Sequence, residues 1–240
     1  MIFARILLYL SLAATFVFLF SGYGYRWEIW SLGLAFSLLR YSAYAAIGIA
    51  VVSLISIWFL RKSRFQVVLY VIIAFILTGI VSGTALYWQH RAQSVPAIHD
   101  ITTDFSNPPE FVAMERLRVD APNPPEYEGE ETARQQREAY PQIEPLIIDA
   151  DLQEVMDAAV VLVVQRGWDL VAINRMDGRV EATEMLPWFG FKDDVVLRFA
   201  ETGEGTRVDM RSKSRVGQSD LGVNARRINR FLRELYARFD

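Results

Sequence analysis

Cysteine is missing from all 240 residues. That absence removes disulfides, thiolate nucleophiles, cysteine-ligated zinc and iron–sulfur clusters from consideration. It is compatible with an oxidising compartment without demonstrating one. Histidine is nearly missing as well: only His90 and His99 occur, and no Gly-x-Ser-x-Gly motif accompanies them, so a hydrolase triad has no support. A metal site built from His99, Asp100 and Asp104 would match no standard ligand spacing. No pattern in the chain calls for a cofactor. Acidic residues are scarce in one region, where Glu28 is the single acid in the first 88 positions. Proline is scarce outside one region: eight of the nine lie between Pro96 and Pro145.

The scarcity of acids marks a break in composition. Of the 25 Lys and Arg and 28 Asp and Glu residues, six and one fall in the first 88 positions, leaving 19 and 27 for the remainder. A break of this kind separates a membrane part from a water-soluble part. The soluble part is long enough for one modest core. Its excess of acids argues against generic binding to nucleic acid or anionic lipid.

A helix needs about 20 apolar residues to span the hydrocarbon core. Residues 6–20 are apolar and extend through Tyr23 and Tyr25; residues 44–60 and 67–88 form two further spans. Aromatic residues gather at their ends, including Trp27, Trp30, Trp58, Tyr87 and Trp88, where amphipathic rings favour the interface. Between the second and third spans lies Arg61-Lys62-Ser63-Arg64. Short loops rich in Lys and Arg stay cytoplasmic. Three crossings then place the N-terminus in the cytoplasm and everything after Trp88 outside, which for a bacterial inner membrane is the periplasm. No small-x-small cleavage site follows Ser21, so the first stretch is read as a retained helix. Residues 30–41 are too short to span once Arg40 is counted; they form either a helix at the outer interface or an outward extension of the second span.

Three divisions follow: residues 1–88 as a three-helix membrane region, 89–145 as a proline-rich segment that wraps the domain, and 146–240 as its core. Proline density blocks continuous helix and inner strand, leaving room for one helix over 130–139. Phe105, Phe111, Val112, Met114, Leu117, Tyr127 and Tyr140 make the segment too apolar for a free tether and are expected to anchor it. From 146 the pattern becomes regular. A strand over 146–148 precedes a helix capped by Asp149 or Asp151 that runs to about 166. Strands follow at 168–174, 179–185, 194–200 and 206–215. The last helix repeats apolar residues at Ile228, Phe231, Leu232, Leu235, Tyr236 and Phe239, with Arg226, Arg227, Arg230, Arg233 and Arg238 on its other faces. Strands in antiparallel hairpins with a helix at either end define an α+β domain, two helices packed on one face of an antiparallel sheet.

Strand alternation places Arg207, Asp209, Arg211, Lys213 and Arg215 on one face, with Asp194 and Arg198 beside them. Two readings stand. One is a solvated cross-strand ladder of ion pairs, each contributing about 0.2–1 kcal/mol. The other is an anion site built from Arg211, Lys213 and Arg215 and oriented by Asp193 and Asp194. The loop 216–222 leads straight into the last helix, where free N–H groups attract anions; Ser219 or Asp220 can instead cap that helix, and Asp220 can be the anion that satisfies it. The aromatic cluster Trp188-Phe189-Gly190-Phe191 is expected to pack in a core; exposed, it would form a lip over a pocket or dip into a membrane surface.

Two strings carry a resemblance: Trp188-Phe189-Gly190-Phe191-Lys192-Asp193-Asp194-Val195, and Ser214-Arg215-Val216-Gly217-x-Ser219-Asp220-Leu221-Gly222-x-Asn224-x-x-Arg227-Ile228. Together with His99-Asp100-Ile101-Thr102-Thr103-Asp104, Asn107-Pro108-Pro109 and Tyr140-Pro141 they resemble the domain-of-unknown-function family 1499, over roughly 98–239. That family occurs in bacteria and plastids, often behind a signal or membrane anchor. The resemblance implies no reaction and assigns no catalytic residue. The candidate ligand-binding residues are Asp193, Asp194, Arg211, Lys213, Arg215, Ser219, Asp220 and Asn224. The expectation is a non-enzymatic binding or structural envelope protein, in contact with the lipid bilayer and with another envelope protein, a lipid headgroup or a cell-wall component, and not with nucleic acid. The alternative is a hydrolase-like enzyme of the membrane surface using Asp193, Asp194, Arg211, Arg215 and Asp220.

Overall fold

The computed structural model describes residues 1–240. The chain divides into two compact units, Met1–Arg91 with Trp188–Gly190, and Ala92–Pro187 with Phe191–Asp240.

The first unit is helical: α1 (Ile2–Arg26), α2 (Leu32–Leu60) and α3 (Phe65–Ser94). All three are long and apolar enough to cross a membrane, with mean hydropathy of 2.1, 2.2 and 2.4 over their best windows. Large apolar side chains such as Phe16, Val51, Phe59 and Ile80 are exposed, as suits helices solvated by lipid. Small and hydroxyl residues take the interior, with Ala4, Ser11, Ala46, Ser53, Ala74 and Thr78 all buried. Small side chains let helices approach closely where no hydrophobic effect drives them together. Ser11 and Thr78 return their hydroxyl protons to carbonyls of the preceding turn. Trp30 closes the α1–α2 turn, its Nε1 donating to the Ser21 carbonyl at 3.0 Å and its ring resting against Gly24. Residues 32–41 continue into the second span as one helix, so the outward extension is what forms. Trp188 and Phe189 belong to this unit. Trp188 Nε1 donates to the Leu19 carbonyl at 2.8 Å, and Phe189 is buried with its ring 5.5 Å from that of Phe36.

The second unit is an antiparallel sheet with helices. Its strands are β1 (Asp100–Thr102), β2 (Leu146–Ile148), β3 (Asp169–Asn174), β4 (Arg179–Met185), β5 (Lys192–Thr202) and β6 (Gly205–Ser214); its helices are α4 (Glu130–Ala139), α5 (Leu152–Gln165) and α6 (Val223–Tyr236). The strand order is β1-β6-β5-β4-β3, with β2 also pairing β6. The two short strands share one edge: β1 lies along 211–213 and β2 along 206–208.

One face of the sheet meets α5 and α6. Val180, Val195, Leu197, Phe199, Val208 and Met210 point there and join Val155, Ala159, Ile228, Phe231 and Leu235 in the core. Asp151 caps α5 by accepting from Gln153 N. Trp168 stacks on Phe231 with centroids 5.4 Å apart. One expectation fails on α6: Arg227 does not face outward. It precedes Ile228 on the inner stripe and is 4% exposed.

The β5–β6 turn depends on Gly205. Its φ is +112°, and a Cβ there would stand 2.2 Å from the Ile148 carbonyl oxygen. Both the backbone conformation and the space demand glycine. Gly205→Ala is expected to destabilise the domain by about 1–3 kcal/mol, read as a lowered melting temperature of the detergent-solubilised chain. An unchanged transition would contradict this account of the turn.

Candidate functional site

The other face of the sheet is charged, and it is buried. Alternation along β5 and β6 points Asp194, Arg198, Arg207, Asp209, Arg211, Lys213 and Arg215 to that side. The ladder of charges is real, but it meets solvent mainly at its rim, Arg198 and Arg207. Asp194 and Lys213 are fully buried, and Arg211 and Asp209 nearly so. The cover is the irregular segment 103–128, which lays Phe111 and Met114 onto Val196. Val112 and Leu117 remain exposed, so only some of the expected anchors hold the segment down.

Asp194 stands at the centre. Arg215 grips it with two bonds, Nε to Oδ2 and Nη2 to Oδ1, each 2.8 Å. Arg118 Nη1 donates to Oδ2 at 2.6 Å and Thr183 to Oδ1 at 2.7 Å. Arg118 also donates to the carbonyls of Asn123 and Ser214 at 2.8 and 3.1 Å. Burial lowers the pKa of this guanidinium, with Asp194 opposing the shift.

A second group lies one step along β6. Arg211 holds Asp100 with Nε and Nη2 at 2.9 and 2.8 Å. The guanidinium of Arg211 sits between the rings of Phe111 and Tyr127, at 4.8 and 5.4 Å. It also donates to the carbonyls of Pro109 and Pro125. Lys213 donates to the Glu126 carbonyl at 2.7 Å and lies 3.3 Å from Asp100 and 3.6 Å from Glu128. Burial lowers its pKa against the pull of those two carboxylates. Burial likewise pushes the Tyr127 hydroxyl up to about 12, Asp100 adding to it. His99 reaches Glu128 at 2.7 Å. Glu181, on β4, accepts from the backbone N–H groups of Val112, Ala113 and Met114 at 3.1, 2.9 and 2.9 Å. It thereby satisfies the start of a 3-10 turn over Ala113–Leu117.

The candidate residues therefore separate. Asp194, Arg211, Lys213 and Arg215 share the covered face. Asp193 is on the opposite face, where Arg227 Nη2 donates to it at 2.5 Å. Asn224 joins that second cluster. Its Oδ1 accepts from Ser212 at 2.8 Å, and its Nδ2 donates to the His99 carbonyl at 2.9 Å and to Ser214 at 3.1 Å. Arg227 also bonds Glu184; burial is the largest single influence and lowers its pKa, but Asp193 and Glu184 together prevail and raise it. Asp220 occupies the start of α6, accepting from Gly222 N at 2.7 Å and Asn224 N at 2.6 Å. Burial raises its pKa despite those bonds. Ser219 stays in the loop and accepts from Leu221 N at 3.2 Å. Glu181 and Glu184, three apart on one strand, face opposite sides as their spacing requires, but nothing in the sequence marks Arg118. Arg118 lies in an irregular stretch whose contact with Asp194 spans 76 positions, and no local pattern announces it.

Chemically, the arrangement binds one part of the chain to another. Each cation of the covered face has a carboxylate within hydrogen-bond or ion-pair reach. Removing one member of a buried set leaves an uncompensated charge, at a cost of about 3–5 kcal/mol. Asp194→Asn is expected to lose that much in chemical denaturation of the full chain; a loss under 1 kcal/mol would show that Arg118 and Arg215 find other acceptors. The rim gives a pH test. At Asp104 burial opposes ionisation, but N–H donors from Asn107 and Ser106 and the Arg198 guanidinium prevail and lower its pKa. Its folded value lies below the unfolded one, so its stabilisation is present above about pH 4. It is lost as pH falls through the lowered value. Asp104→Asn is expected to flatten the acid limb of stability against pH and leave the limb above neutrality unchanged.

Comparison with curated proteins gave no match. A family model described as Protein of unknown function (DUF1499) matches residues 100–235, from β1 into α6. That stretch takes in both charged clusters and more than half of the chain, and the chain belongs to the DUF1499 family.

Proposed function

We propose that this protein is a non-enzymatic binding or structural component of the bacterial envelope. In this reading residues 1–88 anchor it in the inner membrane, residues 89–145 wrap the domain, and residues 146–240 form the core of a periplasmic module. One observation carries the non-enzymatic reading: the side chains best suited to chemistry are already spent. Arg118, Arg211, Lys213 and Arg227 are buried, each beside a carboxylate of the same domain. A catalytic group must come within hydrogen-bond reach of its substrate. Covered groups that hold the fold together make poor catalysts and good scaffolding. What such a scaffold offers is its outer surface, to another envelope protein, a lipid headgroup or a cell-wall component.

The orientation is supported by charge. Arg61, Lys62 and Arg64 lie at the junction of α2 and α3, and a short loop this basic stays on the cytoplasmic side. Three crossings carry the C-terminal domain to the other side. A reporter enzyme active only outside the cytoplasm is expected to work when fused after Asp240 and to stay silent when inserted within 61–64. The reverse pattern would overturn the topology.

A further inference from the structure

Beside β2 and α4 lies an open cleft of ≈ 560 Å³, within the size range of small-molecule sites. Its apolar lining comes from Phe105, Tyr140, Ile143 and Ile147, and two guanidiniums, Arg137 and Arg207, border it. Neither guanidinium is exhausted. Arg137 spends Nη1 on Glu130 and lies over the Phe105 ring at 4.5 Å, leaving Nε and Nη2 without a hydrogen bond. Arg207 spends Nε and Nη2 on Asp209 and Asp104, leaving Nη1. Its hydrogen bond to Asp209 outweighs desolvation and raises its pKa.

A second hollow of ≈ 380 Å³ lies on the other side of 143–145 and continues the apolar lining with Leu232 and Tyr236, with Arg233 beside them. Glu144 lines both hollows and is the one carboxylate in either lining, against three guanidiniums. Resting on the reading of the domain as a binding module, we propose that this cleft holds an anionic amphiphile: a phosphate or carboxylate head on the spare donors of Arg137 and Arg207, with a short hydrocarbon body along Ile143 and Ile147. The domain as a whole is acidic, so long-range attraction does not deliver such a ligand. Recognition is short-range, through charge-assisted hydrogen bonds and apolar contact.

The test uses the full chain in nanodiscs of phosphatidylcholine, with hexyl phosphate as probe and empty nanodiscs as blank. Hydrogen exchange over 103–107 and 137–147 is expected to slow at saturating hexyl phosphate, and not with inorganic phosphate or hexanol. Arg137→Gln, an exposed position, is expected to weaken binding about tenfold in titration calorimetry, and Ile147→Asp to weaken it comparably. Equal protection by inorganic phosphate or hexanol, no protection by hexyl phosphate, or unchanged affinity in both variants would overturn the proposal. Replacing phosphatidylcholine with phosphatidylglycerol, with no probe added, separates the sources: protection of the same peptides identifies a bilayer lipid as the ligand, and protection by the free probe alone identifies a diffusible amphiphile. The topology reporters are independent of this experiment. An empty cleft with the expected topology sinks the cleft alone, and a filled cleft with reversed topology sinks the orientation alone.

Discussion

A segment dense in proline cannot satisfy all of its own backbone. Each proline lacks an N–H while keeping its carbonyl, so a proline-rich stretch brought against a sheet arrives with surplus acceptors. In this domain some of the donors come from the sheet below: Arg211 and Lys213 reach the carbonyls of Pro109, Pro125 and Glu126, while Arg118, within the segment, reaches Asn123. Buried cations in turn require buried anions, and Asp100 and Asp194 supply them. The charged face of the sheet follows from that chain of requirements. Asp194 is its most constrained member, fully buried and accepting from two arginines and a threonine.

The same alternation that builds this layer separates neighbours in sequence. Asp193 and Asp194 are adjacent, yet one binds Arg227 on the helix side and the other binds Arg118 and Arg215 on the covered side. Glu181 and Glu184 divide in the same way, toward the 3-10 turn and toward Arg227. The sheet therefore carries a polar cluster on each face. On the helix side, Arg227 and Asn224 tie α6 to β5 and β6. On the other side, arginines and a lysine tie the irregular segment to the same two strands. Buried ion pairs add little net stability relative to apolar packing of the same volume. Their geometry is directional, and that directionality gives an irregular segment, without a ladder of its own, a defined register on the sheet.

The helical unit obeys the opposite rule. No water is available in a bilayer to pair with stray polar groups, so its backbone is satisfied within helices, and the hydroxyls of Ser21, Ser56 and Thr78 turn back onto their own preceding turns. Its exposed side chains are large and apolar, its buried ones mostly small, with Leu7, Phe18 and Phe189 as exceptions. The inversion relative to the α+β unit, where large apolar residues are inside, is what two different solvents impose on one chain.

Elements governed by local chemistry were legible in the amino-acid order. Hydropathy marked three spans, the 130–139 helix stood out between prolines, the start of α5 was narrowed to Asp149 or Asp151, and period two placed Arg207 through Arg215 on a common face. These depend on residues within a few positions of one another, and side-chain periodicity reports them directly. Whether that charged face met water or protein was beyond such a pattern. Burial of Lys213 depends on residues 126 and 128, nearly ninety positions away, and Arg118 meets Asp194 across 76. Arg227 was assigned outward for the same reason, since a helix wheel cannot see the carboxylates of β4 and β5 waiting above it. Sequence by itself determined the elements, their faces and the contrast between the two units. Tertiary structure alone decided which charges were paired, because pairing is set by chain segments that meet only after the irregular segment has closed over the sheet.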